Sequence, residues 1–184
     1  PVGVWNNTLC MSLDEWQAES GLDAGSISLL PVFASDTDFH TNTMALDGAG
    51  IPLSRVQDDI DGEQRDPANP DIGADEFTST CKGMLKGTYT IGVTGDFSTF
   101  GEAVTALLEC GISGSVTFNA QPGTYSEQII IRDAIPHYTK GDTILFQSQT
   151  ADSTSVVLTW QADSLNNYTV KIDGADRIIF KQLT

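Results

Sequence analysis

An all-β solenoid is the fold class this sequence predicts, and three observations carry that reading. Val116-Thr117-Phe118-Asn119, Ile144-Leu145-Phe146-Gln147 and Ile178-Ile179-Phe180-Lys181 share the order β-branched, variable, Phe, polar and recur after 28 and then 34 residues. Successive coils joined by uneven loops repeat in this way. Period-two alternation puts Val116 with Phe118, Ile144 with Phe146, and Ile178 with Phe180 on one side, where stacked coils pile the three rings. Each such burial is worth roughly 1.5–3 kcal/mol. Past residue 114 the chain reads as strand pieces separated by turns, at 115–119, 127–132, 143–148, 155–160, 168–173 and 177–183. Ile129 with Ile131, Val156 with Leu158, and Val170 with Ile172 predict another wall. A β-sandwich of similar strands is the competing fold, and Leu145 and Ile179, which a solenoid points outward, need a cover.

Taken in order, the first element is a short helix over 12–21. Ser12 and Glu15 form a capping box, acids crowd the first turn, and Gly21 supplies the left-handed stop. From 25 to 70 brief apolar pieces alternate with Asp, Thr, Asn and Gly, a texture of turns and short strands. The run 58–77 places eight acids around Arg65 and closes the first unit. The composition then changes to Thr, Ser, Lys and Gly, which predicts a boundary near residue 78. A second helix is predicted over 99–110: Thr99 and Glu102 form another capping box, Gly111 stops it, and Phe100, Ala103, Val104, Leu107 and Leu108 make one apolar stripe.

Composition limits the function. With 184 residues and 40 % hydrophobic content the chain has enough material for a packed core. Nine Lys plus Arg against 25 Asp plus Glu give a net charge of −16, the wrong sign for nucleic acid. No apolar run approaches the ~18 residues needed to span a bilayer. The abrupt opening at Pro1 and the strand-like close at Thr184 predict a piece of a longer polypeptide. Cys10, Cys81 and Cys110 lack C-x-x-C spacing. Either Cys81 and Cys110, which flank one segment, form a bridge, or all three are buried thiols. The acidic, lysine-poor composition points outside the cell.

Several spaced motifs agree in order with a known family. Gly87-Thr88-Tyr89-Thr90-Ile91-Gly92, Asp96-Phe97-Ser98-Thr99-Phe100, Gly111-Ile112-Ser113-Gly114-Ser115-Val116 and Gly123-Thr124-Tyr125-Ser126-Glu127-Gln128 resemble the opening of right-handed parallel β-helix domains. These are pectin-lyase-like domains of large bacterial surface proteins exported by the type IX secretion route. The segment Asp59-Ile60-Asp61-Gly62-Glu63-Gln64-Arg65 and the run from Asp71 to Phe77 resemble the closing segment of such domains. The resemblance implies the C-terminal end of one β-helix at 1–77, then the N-terminal cap helix and first coils of another at 78–184. It further implies an extracellular structural or adhesive segment, a rigid stalk or spacer that meets surface glycans or proteins through its parent molecule. The alternative is a fragment of a polysaccharide-processing lyase or glycan-binding protein.

Candidate chemistry is sparse. Among the acids of the 58–77 run, Asp59, Asp61, Asp71 and Asp75 are candidate oxygen ligands for Ca²⁺, although an EF-hand is excluded because its twelfth position falls on Pro70. The competing expectation is that Arg65 forks between two of these carboxylates and fixes a turn. Lys171, Asp173, Asp176 and Arg177 have the residue types of a lyase site, but Asp173-Gly174-Ala175-Asp176 also reads as a tight turn. His40 and His137 stand alone, without a metalloprotease or nucleophile motif. Tyr125, Tyr138, Trp160 and Tyr168 are candidates for a sugar-binding platform, with Trp160 in phase to point inward. No catalytic set and no cofactor other than calcium is assigned.

Overall fold

The computed structural model describes residues 1–132, 135–136 and 141–184. The chain divides into two compact units, Pro1–Thr41 with Leu46–Thr78, and Asn42–Ala45 with Ser79–Thr184. Among the described residues no helix is long and apolar enough to cross a membrane.

The first unit begins with a hairpin, β1 (Gly3–Trp5) and β2 (Thr8–Cys10), paired antiparallel. Asn6 and Asn7 both hold positive φ, at 46° and 68°, the conformation that a two-residue return with matching strand twist requires. Helix α1 (Leu13–Ser20) follows, its first turn capped by Ser12 Oγ, which accepts from the Glu15 N–H at 3.2 Å. Trp16 of α1 meets Trp5 edge-on at 5.8 Å and donates its indole N–H to Asp23 Oδ2 at 2.7 Å. A second antiparallel hairpin joins β3 (Phe33–Ser35) to β4 (Asp38–Thr41). The loop 58–77 completes the unit. Its apolar core is small: Cys10 and Leu46 are buried, and so are the carboxylates Asp71 and Asp75.

The second unit is built on a four-stranded parallel sheet in the order β12 (Ile178–Lys181), β9 (Ile144–Ser148), β6 (Ile112–Ala120), β5 (Leu85–Ile91). Two further parallel pairs join β7 (Gly123–Ser126) to β10 (Val156–Thr159), and β8 (Ile129–Arg132) to β11 (Val170–Asp173). In the large sheet Tyr89, Phe118, Phe146 and Phe180 occupy one register position on four neighbouring strands. The Phe118 and Phe146 rings stack at 4.8 Å, and those of Phe146 and Phe180 at 5.2 Å. Beside this column Gln147 donates its amide to Asn119 Oδ1 at 2.9 Å, so the polar member of the repeat also pairs across strands.

Helix α2 (Phe100–Cys110) buries the predicted stripe of Phe100, Ala103, Val104, Leu107 and Leu108. Thr99 Oγ1 accepts from the Glu102 N–H at 3.0 Å, and Glu127 accepts from the N–H groups of Phe100 and Gly101 at 2.9 and 2.7 Å. A carboxylate from a distant strand junction thus occupies the positive end of the helix. Gly111 ends it at φ 70°, where an added Cβ would lie 2.5 Å from the Pro136 carbonyl oxygen. Cys81 and Cys110 form a disulfide, and Cys10 is a buried free thiol. Residues 42–45 belong here because Asn42 donates to Thr80 Oγ1 and to Glu109 Oε2, at 2.7 and 2.8 Å.

The predicted class, an all-β, right-handed parallel β-helix solenoid, is overturned. Among the described residues the protein is mixed α/β, with two α-helices, parallel sheets of four, two and two strands, and antiparallel hairpins in the first unit. Periodicity reports which strands are neighbours, but class depends on where the chain turns. The Asn6-Asn7 return forces antiparallel pairing, and the apolar stripe of α2 takes a full share of the core. Two finer expectations also change. Val156 and Leu158 lie opposite Gly123 and Tyr125 rather than in the wall of Ile129 and Ile131, which face Val170 and Ile172. Trp160 sits just past the end of β10 and is 41 % exposed, so the inward alternation stops before it.

Candidate metal centre

The acid loop is organised by backbone N–H groups first. Asp59 Oδ1 accepts from the N–H groups of Asp61 and Glu63 at 2.9 and 2.8 Å, and its Oδ2 accepts from Glu76 at 3.1 Å. Burial works against ionisation of Asp59, but these backbone donors outweigh it and hold the carboxyl below the usual range. Gly62, at φ 82°, makes the turn that aims these amides inward. Asp71 accepts from Gly48 and Phe77, both at 2.6 Å, and burial pushes its carboxyl above the usual range despite those donors.

Arg65 does not make the predicted fork to two carboxylates. It reaches Glu76 Oε2 at 3.5 Å and donates to the carbonyls of Asp71 and Gly73 at 3.1 and 2.6 Å. Glu76 in turn accepts from the N–H groups of Asp66 and Asp71 at 2.8 and 3.1 Å. The loop presents carbonyl oxygens as well as carboxylates, and a guanidinium satisfies both.

The four calcium candidates therefore separate. Asp59 and Asp71 spend their oxygens on the backbone. Asp61 and Asp75 converge with His40, and the ligand atoms of these three residues all lie within 4.8 Å of one another. His40 Nε2 is 2.5 Å from Asp61 Oδ2, and His40 Nδ1 pairs with Asp38 Oδ1. Asp38, followed by Asp61, raises the His40 pKa to about 9. Asp75 is only 7 % exposed as a residue, but among the described residues the buried side-chain atom left without a hydrogen bond is Arg65 Nε, not an oxygen of Asp75.

In the sequence alone His40 stands isolated. The one local signal was the spacing Asp38-Phe39-His40, which on a strand puts the acid and the imidazole on the same face. Asp61, 21 residues further on, could not be paired with it without the fold.

The other candidates are not assembled into sites. Lys171 pairs with Asp173 at 3.0 Å on the surface of β11. Gly174 and Arg177 hold positive φ, at 89° and 54°, and the Arg177 carbonyl accepts from the Ile144 N–H at 3.1 Å, so the segment is the turn between β11 and β12. Tyr125 packs edge-on against Phe100 and donates its hydroxyl to the Gln121 carbonyl at 2.9 Å. Among the described residues no ring contact joins Tyr125, Trp160 and Tyr168. His137 and Tyr138 lie outside the described residues. The chain matches no protein-family model, no curated protein and no solved structure.

Proposed function

We propose that this chain is a structural segment of an exported protein, a spacer that holds position rather than turning over a substrate. The Cys81–Cys110 disulfide is the observation that carries the reading. Disulfides persist in oxidising compartments, and this one ties the entry to β5 to the end of α2. Two other features support it. The residues with lyase-type side chains serve a turn, and the in-register column of Phe118, Phe146 and Phe180 is built for packing. A net charge of −16 suits a surface that stays solvated.

One observation favours a second reading, glycan binding without turnover. In the second unit a cleft of about 600 Å³ is lined by Tyr89, Phe97, Asp96 and Glu102, so aromatic faces stand beside hydrogen-bonding carboxylates.

The test uses the intact chain, incubated with acidic polysaccharides with and without Ca²⁺. The spacer reading expects no ultraviolet-absorbing elimination product, no retained glycan and one titratable thiol in the denatured, unreduced protein. Elimination products would overturn it. Saturable glycan retention that is lost in Tyr89→Ala would transfer the function to the cleft, and three free thiols in material from the native compartment would remove the case for export.

A further inference from the structure

We propose that His40 Nε2, Asp61 and Asp75 form a binding site for a divalent transition-metal ion of the zinc type, with Asp38 as the residue that orients the imidazole. Asp75 is 7 % exposed as a residue, and its carboxylate, which is not among the buried atoms left without a partner, keeps solvent access and is open to a cation. Its oxygen points into the His40–Asp61 group, all ligand atoms of which fall within 4.8 Å. Three carboxylates, Asp38, Asp61 and Asp75, converge on a single imidazole, which leaves a surplus of negative charge for a cation to neutralise.

The donor types select the ion. Calcium takes six to eight oxygens and has no use for an imidazole nitrogen, whereas zinc binds His nitrogen and Asp oxygen at about 2.0–2.2 Å and accepts three protein ligands plus water. Cys10 is not among the grouped side chains, so thiolate-selective metals are not favoured. Ions of the zinc type fit one nitrogen and two oxygens best.

The surroundings hold the ligands in place. Asp38 and His40 share a face of β4, and the bond from Nδ1 to Asp38 leaves Nε2 as the nitrogen for the metal. Asp59 grips both ligand-bearing segments, since one oxygen accepts from the Asp61 N–H and the other from Glu76, the neighbour of Asp75. The Ile60 N–H donates to the Ala74 carbonyl at 2.9 Å and joins the two segments one residue before each ligand. Small side-chain rotations then suffice to close the three ligands around an ion.

The test is calorimetric titration of the intact, chelator-treated chain with Zn²⁺ and, separately, Ca²⁺ at neutral pH. His40 is followed in parallel by NMR of its ring, and Co²⁺ serves as a visible-absorption probe. The proposal expects one Zn²⁺ per chain, weaker Ca²⁺ binding, a zinc-dependent shift of the His40 ring signals, and loss of binding in His40→Ala and Asp75→Asn. Asp38→Asn is expected to weaken binding about tenfold while keeping the stoichiometry. Absence of Zn²⁺ binding, unperturbed His40 signals on saturation, full affinity in Asp75→Asn, or tighter Ca²⁺ binding would each overturn it. The ring signals of the unsubstituted chain decide the matter if a variant does not fold.

Discussion

Individual carboxylates in this acidic chain differ according to what donates to them. Asp96 is exposed, yet its Oδ2 accepts from both the N–H and the hydroxyl of Thr90 at 2.8 Å, and those bonds hold its carboxyl below the usual range. A folded-state pKa lower than the unfolded one contributes stability above the unfolded value of about 3.9, and that contribution is lost as pH falls through the folded value. Urea unfolding of the native chain and of Asp96→Ala across the acid range is therefore expected to show the variant less stable at neutral pH, with the two curves converging in strong acid. A gap that persists unchanged at the lowest pH would mean that Asp96 acts through packing instead. Asp71 has the opposite balance, with burial ahead of its two backbone donors. No composition count could separate these cases, because the donors belong to Thr90, Gly48 and Phe77, whose positions the chain path sets.

At the scale of elements, local grammar was legible and long-range partners were not. The boxes Ser12/Glu15 and Thr99/Glu102 announced α1 and α2, since a cap acts over three residues. Glu127, which holds the first amides of α2 from 26 and 27 residues away, left no trace in the pattern. The repeat around Phe118, Phe146 and Phe180 matches the register of β6, β9 and β12, because like side chains at one position are what parallel pairing stacks. Phe146 is fully buried between the other two rings and also meets Phe100 at 5.9 Å. Phe146→Ala is expected to cost about 3–5 kcal/mol in denaturant unfolding, the range for removing a buried ring. A loss below about 1 kcal/mol, typical of a surface site, would place the ring outside the core.

For the molecule as a whole, the two units are stabilised by different means. The second has a continuous apolar core and a disulfide whose partners are 29 residues apart, a loop for which chain entropy alone predicts roughly 3–4 kcal/mol. Reduction is expected to lower hydrogen-exchange protection in β5, β6 and α2, and unchanged protection there would show that packing carries the unit without the bridge. The first unit buries little apolar surface and relies on backbone N–H groups gathered by Asp59, Asp71 and Glu76. The acid loop could be read as structural from its turn residues and single arginine, but the role of each acid within it could not.

By itself the sequence determined the two helices, the strand register of the Phe repeat, and the acid loop as a distinct piece. Those features depend on capping and periodicity, forces that act within a few residues or between identical residues in stacked strands. The tertiary structure alone decided the mixed α/β class and the placing of Asp61 and Asp75 beside His40 while Asp59 and Asp71 serve the backbone. These outcomes depend on where turns such as Asn6-Asn7 and Gly62 send the chain, and a carboxylate's chemistry is set by the donors that path places around it.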